Sequence, residues 1–354
     1  MSTKQEKERR KVQISGKSSC MVALPKKWVR EMGLQQGSEV MITRPTNTSL
    51  LISAEVEAGA ARGREAVIEV DADDAPESTF RKIVSLYVLG YSQITIAGTR
   101  GLLSSSKKVA IKELVRKHLI GTEGVAESRE MMTVHVLLGY SELSVENALK
   151  KMLLIINSMR KDATQALESM DPVLAEAVVE RQDEVKRFEL YVIRELNMSQ
   201  DRGISSDARM DQRDTLGYIQ VARMLERIAY HVCKLTKAVT DLDKPLSKAT
   251  TTKILATHEA SCELVDQALL SLFKRDHAGA DAVIDSSREF VDKEGDAVRV
   301  LDGADSKTFH TLHVILDGQV RVAEYARDIA ENVLDMTIER VVSNEEMVAP
   351  RAAM

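Results

Sequence analysis

Residues 144–170, SVENALKKMLLIINSMRKDATQALESM, carry the clearest structural signal in this chain of 354 residues. Apolar side chains recur there in steps of three and four, at Val145, Ala148, Met152, Ile155, Met159, Ala163, Ala166 and Met170. This spacing places them on one side of an α-helix, so the stretch predicts a helix with a single buried stripe. Asp171 and Pro172 then have the order of a helix cap and a first helical residue, and predict a second helix that ends near Asn197.

The helical pattern continues and predicts two sets of three helices. A third helix is expected over 211–240, with one apolar side formed by Val221, Leu225, Ile228, Val232, Leu235 and Val239. After a linker at 241–247, three more helices are predicted at about 248–273, 278–301 and 306–340. Because three long helices, a break and three more helices indicate an internal duplication, we expect all-α repeats at 142–240 and 248–340.

The third helix of each repeat carries a related motif. Leu225-Glu226-Arg227-Ile228-Ala229 in the first repeat, and 329–333 in the second, resemble the PhoU family of tandem three-helix bundles. The resemblance implies regulation of phosphate uptake and, in some members, metal clusters bound by a Glu/Asp-x-x-x-Asp motif. Glu226 matches the first acid of that motif, but Tyr230 stands at the second position. In the second repeat Val320 replaces the first acid, and Glu324 keeps the second carboxylate.

The last predicted helix adds a stripe of imidazoles and carboxylates. His310, His313, Asp317, Glu324, Asp328, Glu331 and Asp335 recur by threes and fours and therefore share one face. The His-x-x-His-x-x-x-Asp spacing suits Zn or Fe. One hypothesis is therefore a divalent or ferric metal, with the candidate ligands Glu226, His310, His313, Asp317, Glu324 and Asp328. The favoured interpretation is a solvated acidic face. It would meet either the basic face of the first repeat, which Arg223, Lys234 and Lys237 form, or a basic face of a partner.

The first 53 residues form a basic segment at the front of an acidic chain. They hold ten Lys or Arg and four Glu, a net charge of +6, while the whole chain carries −5, which leaves −11 for the remainder. Segregated positive charge favours contact with a polyanion, most often nucleic acid. The candidate DNA-binding residues are Arg9, Arg10, Lys11, Lys17, Lys26, Lys27 and Arg30. The alternative is a solvated basic surface that only keeps a dimer in solution.

Residues 9–53 contain short strand-like runs, with a short helix predicted at 26–32 between Pro25 and Gly33. The motifs Arg10-Lys11-Val12, Ser15-Gly16-Lys17, Val22-Ala23-Leu24-Pro25 and Met32-Gly33-Leu34, in this order, resemble an AbrB/SpoVT-type domain. That resemblance implies a homodimeric swapped-hairpin β-barrel whose loops bind double-stranded DNA. Arg10, Lys17 and Arg30 match basic positions of the family, whereas Val29 stands where the family has a second arginine. A fusion of this domain to a PhoU-like region is typical of archaea.

Residues 62–140 predict a small α/β connector domain. Strands are expected at 66–70, 93–97, 125–130 and 132–138, and helices at 78–89 and 106–118. The order β-α-β-α-β-β suggests a ferredoxin-like arrangement. Asp71, Asp73 and Asp74 cluster in one loop, where a solvated turn is favoured over a metal site. Residues 98–101 are too short for a glycine-rich phosphate-binding fingerprint.

The composition limits the class of protein. A content of 44% hydrophobic but only 4% aromatic residues favours helical bundles. Cys20, Cys233 and Cys262 are far apart and predict free thiols in a reducing cytosol. No apolar run reaches the roughly 18 residues of a membrane span, and no apolar signal core begins the chain. We therefore expect a soluble cytoplasmic protein.

Two functional hypotheses follow from the resemblances. The leading one is a transcriptional regulator of phosphate uptake, in which the helical region senses a signal and controls a dimeric AbrB-like head on double-stranded DNA. The alternative is a PhoU-like interaction protein that regulates a phosphate transporter or its signalling partner, with the head used only to form a homodimer or higher oligomer. No nucleophile–base pair or closed metal site is evident, so an enzyme is not expected.

Overall fold

The computed structural model describes residues 8–15, 19–46, 49–54, 64–71, 73–99, 101–137, 143–201, 212–294 and 305–348. The chain divides into two compact units. The N-terminal unit comprises residues 1–62 and 204–209, and the main unit comprises 63–203 and 210–354. Lys17, a candidate DNA-binding residue, lies outside the described residues.

The N-terminal unit consists of two hairpins and a short helix. Its elements are β1 (Gln13–Ser15), β2 (Ser19–Met21), α1 (Lys26–Glu31), β3 (Val40–Thr46) and β4 (Ser49–Ala54). Strands β1 and β2 pair antiparallel, as do β3 and β4, and each pair is a separate two-stranded sheet. As predicted, Pro25 precedes α1, and Gly33 follows it with a φ of 70° that suits glycine. Within its described residues, the single chain therefore does not close into the β-barrel that the resemblance implies.

Almost nothing in the N-terminal unit is buried. Among the side chains that the structure describes there, only Pro25 is buried. Large apolar side chains are exposed instead, including Val12, Ile14, Met21 and Val22. The described residues of this unit therefore form no apolar core of their own. Isolated two-stranded hairpins are marginally stable in water.

The α/β domain follows the predicted element order. Its elements are β5 (Arg64–Val70), α2 (Pro76–Val88), β6 (Tyr91–Gly98), α3 (Ser105–His118), β7 (Thr122–Glu127) and β8 (Met131–Val136). The sheet order is β5-β6-β8-β7, with β5 and β6 parallel and the other pairs antiparallel. The suggested ferredoxin-like arrangement is wrong, because that fold requires the order β-α-β-β-α-β. Here both helices come before the β7–β8 hairpin, which places β8 beside β6.

One apolar core holds this domain together. It is formed mainly by Ile83 and Tyr87 of α2, Ile94 and Ile96 of β6, and Ile111 of α3. Because both helices also contact the helical region, the α/β domain and the helices form one compact unit.

The helical region contains seven helices within its described residues. They are α4 (Val145–Ser169), α5 (Pro172–Glu180), α6 (Gln182–Asp201), α7 (Gln212–Asp241), α8 (Lys248–Lys274), α9 (His277–Glu294) and α10 (Ser306–Val348). The predicted cap is confirmed, since Asp171 Oδ1 accepts hydrogen bonds from the amides of Val173 and Leu174. The predicted single second helix is wrong, because the chain breaks at Arg181 into α5 and α6.

At this break, the side chain of Arg181 contacts α4. Its guanidinium donates to Ser158 Oγ at 2.8 Å and pairs with Asp162, both on α4. The predicted stripe on α4 is largely buried, although Ile156 takes the buried position expected for Ile155. A single apolar cluster runs through both repeats and includes Met152, Leu225 and Ile329.

Two further expectations concern the cysteines and helices that could span a membrane. All three cysteines are free thiols, with Cys20 exposed and the other two buried. Among the helices of the described residues, none is long and apolar enough to cross a membrane.

Candidate functional site

The predicted DNA-binding residues of the N-terminal unit that the structure describes are all exposed. Arg9, Arg10 and Lys11 precede β1, and Lys26, Lys27 and Arg30 lie on α1. Arg10 pairs with Glu8 at 3.0 Å, and Lys27 lies 3.9 Å from Glu31. Exposed pairs of this kind contribute little to stability.

Glu226, the acid predicted from the motif, lies in a charged pocket of about 350 Å³ between α2, α6 and α7. Lys186 and Glu189 of α6, together with Arg223 and Arg227 of α7, also line this pocket. The carboxylate of Glu226 is mostly buried and lies 3.9 Å from the guanidinium of Arg227. Three cations and two carboxylates therefore share one pocket between the first repeat and the α/β domain.

Sequence reasoning missed Glu189, which is the more deeply buried of the two acids. It is 5% exposed, and the ammonium of Lys186 lies 2.6 Å from its carboxylate. Burial raises the pKa of Glu189, and the negative charge of Glu226 adds to this, while Lys186 and Arg223 act in the opposite direction. The only local signal was a Lys–Glu pair three residues apart, which is typical of any solvated helix face.

The structure does not gather the hypothesised metal ligands into one site. His310, His313 and Asp317 of α10 are exposed, and Glu324 is paired with Arg321 at 2.8 Å. Glu226 lies in the pocket described above, whose lining includes no residue of α10. Across the described ranges, no group of three or more His, Cys, Asp or Glu side chains is placed to hold a metal ion. The six hypothesised ligands are therefore not brought together among the described residues, and metal binding stays a prediction.

The basic side of α7 lies beside one end of the α10 stripe in the same chain. Lys234 and Lys237 of α7 and His310 of α10 line one depression of about 170 Å³. Further along, the ring centroid of His231 is 5.9 Å from that of Tyr325. Burial lowers the pKa of His231, and the nearby carboxylate of Asp317 partly offsets this. The basic side of α7 therefore lies beside His310 in the same chain, and no carboxylate of the α10 stripe lines that depression.

Further along α10, the carboxylates are closer to one another. Burial raises the pKa of Asp328, as do the negative charges of Glu331 and Glu324, while Arg327 lowers it. Glu331 forms an ion pair with Arg327 at 3.7 Å. This end of the stripe therefore combines neighbouring carboxylates with two arginines of the same helix, Arg321 and Arg327.

Comparisons with known proteins found one family match in the helical region and similar solved structures. Residues 149–239, which run from α4 into α7, match the sequence profile of the PhoU domain. No curated protein sequence matches the chain significantly. The phosphate transport system regulatory protein PhoU from Streptococcus pneumoniae is a similar solved structure, at 16% identity and a TM-score of 0.47, over 54% of this chain and 91% of that one. PhoU from Pseudomonas aeruginosa is similar at 22% identity and a TM-score of 0.48, over 55% of this chain and 96% of that one.

Proposed function

We propose that this chain is a PhoU-like regulator of phosphate transport that acts on a transporter or its signalling partner. The observation that carries the proposal is the PhoU-domain match over residues 149–239, on the helices that form the first repeat. PhoU proteins regulate phosphate transport, so the same role is the simplest one for this helical region.

The acidic face of α10, formed by Asp317, Glu324, Asp328, Glu331 and Asp335, is the surface best suited to such a partner. Asp317, Glu331 and Asp335 are exposed. Charged surfaces of one sign select partners of the opposite sign and speed their association. The expected partner surface is therefore basic.

Phosphate uptake in cells of the source organism tests this role. We expect deletion of the protein to disturb the response of uptake to external phosphate, and we expect Asp317→Lys to reproduce part of that defect. Glu263→Lys is the matched control, because Glu263 is an exposed acid on a different helix, α8. Uptake that responds normally after deletion would count against the proposed function.

A second candidate function, DNA binding by the N-terminal unit, is favoured by a separate observation. The first 53 residues carry a net charge of +6, and they lie in a compact unit of their own. Neutralising phosphates with Lys and Arg releases counterions, so such binding must weaken steeply as salt rises. Binding of this kind would make the protein a transcriptional regulator of phosphate-uptake genes.

Promoter fragments of phosphate-uptake genes, titrated at several salt concentrations, test the DNA-binding function. Replacing Arg10, Lys17 and Arg30 by Gln should abolish binding and flatten the salt dependence. The control removes three exposed arginines of the main unit, Arg81, Arg116 and Arg340, and so matches the change in net charge. Equal binding by the two triple variants would contradict DNA recognition by the N-terminal unit.

A further inference from the structure

A pocket lies where the parallel strands β5 and β6 end. Three main-chain hydrogen bonds fix its frame: Thr99 donates to Val70 at 3.1 Å, Gly98 to Glu130 at 3.0 Å, and Leu103 to Arg129 at 3.1 Å. These bonds tie the ends of both strands and the loop before α3 to the β7–β8 turn. In open α/β sheets, ligands bind in the crevice beyond the carboxyl ends of parallel strands, which is the place of this pocket.

The pocket is lined mainly by positive charge. It has a volume of about 390 Å³, and Lys107, Lys108 and Arg129 line it from α3 and the β7–β8 turn. Asp71 is the one acidic residue of the lining, and its carboxylate already accepts a hydrogen bond from the hydroxyl of Thr99. Three cations against one carboxylate leave a net positive lining.

Two of these cations are buried, which is unusual for lysine. Lys107 and Lys108 are only 7% and 8% exposed. Their ammonium groups donate to main-chain carbonyls, Lys107 to Asp71 at 2.6 Å and Lys108 to Ser128 at 2.5 Å. A buried charge is expensive unless an opposite charge compensates it.

The ion pairs of this region are Lys82 with Asp74 and Lys112 with Glu127. Among the residues that the structure describes, no acid forms an ion pair with Lys108 or with Arg129. Arg129 is exposed at the rim, so its guanidinium can reach a ligand in the pocket. An anion from solution would therefore supply a negative charge that the described acids do not place beside Lys108 and Arg129.

The start of α3 also favours an anion in this pocket. The helix begins at Ser105, and the hydroxyl of Ser104 accepts from the amide of Lys107 at 3.3 Å. The first amides of a helix point outward and carry partial positive charge, which favours an anion there. The hydroxyl of Ser105, which also lines the pocket, is a further hydrogen-bond donor.

We propose that this pocket binds the phosphate group of a small molecule. Its volume exceeds what a bare phosphate needs and lies within the range of small-ligand sites. Leu102 and Leu103 give one side of the lining an apolar surface that can contact the organic part of a phosphate ester. The pocket lies outside residues 149–239, so phosphate binding and transporter control can succeed or fail independently.

Calorimetric titration of the purified full-length protein with inorganic phosphate and with adenosine monophosphate tests the proposal. Arg129→Gln should weaken binding about tenfold or more, because it removes a charge-assisted contact. Arg116→Gln is the matched control, since Arg116 is an exposed arginine of α3 that does not line the pocket, and it should leave affinity unchanged. Binding of both ligands would show that the phosphate group suffices, and binding of the ester alone would show that the apolar lining contributes.

Lys108→Met provides a second, more severe variant, and it should abolish binding while thermal melting reports whether it folds. Arg129→Gln keeps the proposal testable if Lys108→Met does not fold, because Arg129 is exposed. Loss of binding in a variant with Lys26 and Lys27 replaced by Gln, but not in Arg129→Gln, would move the site to the N-terminal unit and overturn the proposal. Failure of both ligands to bind at about 10 mM would also overturn it.

Discussion

At the scale of single residues, Gly98 leaves no room for a side chain. A Cβ atom there would overlap the main-chain carbonyl of Leu102. Because that atom can move only if the loop moves, Gly98→Ala should lower the free energy of unfolding by about 1–3 kcal/mol. Urea denaturation of the full-length protein measures the change.

Gly217→Ala is the control for this prediction. A Cβ at Gly217 would meet only the flexible side chain of Met336, which can turn away. Alanine also favours a helix interior by about 1 kcal/mol over glycine, so this variant should be as stable as the parent or more stable. If both variants behaved alike, the loop beside Gly98 would be less tightly packed than the structure has it.

His258 belongs to a buried polar cluster between α8 and α10. Its Nδ1 lies 3.0 Å from Oε1 of Gln319, and the hydroxyl of Ser261 donates to the same oxygen at 3.0 Å. Burial is the main cause that lowers the pKa of His258, and Arg160 lowers it further, while the Gln319 contact and Glu259 act in the opposite direction. The folded protein therefore holds this imidazole neutral.

The lowered pKa predicts a loss of stability in acid. The unfolded chain takes up a proton near the ordinary value of 6.5, whereas the folded state does so only at lower pH. The stability is therefore complete above about pH 6.5 and falls as the pH drops through the folded-state pKa. We expect His258→Gln to lose less stability between pH 7 and pH 5 than the parent does.

Urea midpoints at the two pH values measure this difference. His310→Gln is the control, because His310 is exposed on α10 and its removal takes nothing from the core. A variant His258→Gln that lost as much stability in acid as the parent would show that other groups cause the pH dependence.

At the scale of elements, one arginine connects the helical region to the α/β domain. Arg194 of α6 is 2% exposed and donates to the carbonyls of Tyr87 and Tyr91, at 2.5 and 2.9 Å. Asn197 donates to the neighbouring carbonyl of Val88 at 2.7 Å. Tyr87 and Val88 end α2 and Tyr91 begins β6, so these side chains hold both sides of the turn between the two elements. Carbonyls at the end of a helix have no partner within the helix, which leaves them open to such donors.

Arg194→Met should therefore weaken the junction between α6 and α2. The Tyr87 carbonyl would keep the amide of Gly90 as a donor, whereas the Tyr91 carbonyl would lose a buried charged donor. The free energy of unfolding is therefore expected to fall by about 1–3 kcal/mol. Limited proteolysis should then cut the α/β domain earlier than in the parent. Arg81→Met, an exposed change on α2, should alter neither measurement. Equal stability of the two variants would show that the junction does not depend on this arginine.

The elements also show what the sequence can and cannot predict. The helices followed from apolar residues at steps of three and four, and the start predicted for α10 agrees with its first residue, Ser306. The break at Arg181 was missed, because the contacts that accompany it come from α4 rather than from a local Pro or Gly. The sheet order was missed for a similar reason, since pairing between strands far apart in sequence leaves no local periodicity.

Some residues of the candidate sites could likewise be found from the sequence, and others could not. Glu226 was found because a motif carries it, whereas Glu189 and Arg194 look like ordinary helix-surface charges until packing buries them. Residues 98–101 contain no phosphate-binding fingerprint, and the cations beside them come from residues 107–108 and from Arg129. Only the fold brings these segments together, so no local pattern could have predicted the pocket.

At the scale of the whole molecule, positive charge and exposed apolar surface occur in the same unit. The N-terminal unit carries Val12, Ile14 and Leu50 largely exposed to solvent, and Ile14 is 84% exposed. Burying apolar surface is the main favourable contribution to protein association. We therefore expect two copies of the chain to pair through their N-terminal units, as the AbrB/SpoVT resemblance implies.

Sedimentation of the full-length protein tests this pairing. The parent should sediment as a dimer or a higher oligomer, and Ile14→Asp should reduce its mass because a charge then lies in the apolar contact. Leu154→Asp is the matched control, since Leu154 is 68% exposed on α4 of the main unit and should leave the mass unchanged. A parent that is monomeric at every concentration would remove the basis for a dimeric DNA-binding head. Loss of mass in Leu154→Asp alone would place the contact between copies on the helical region instead.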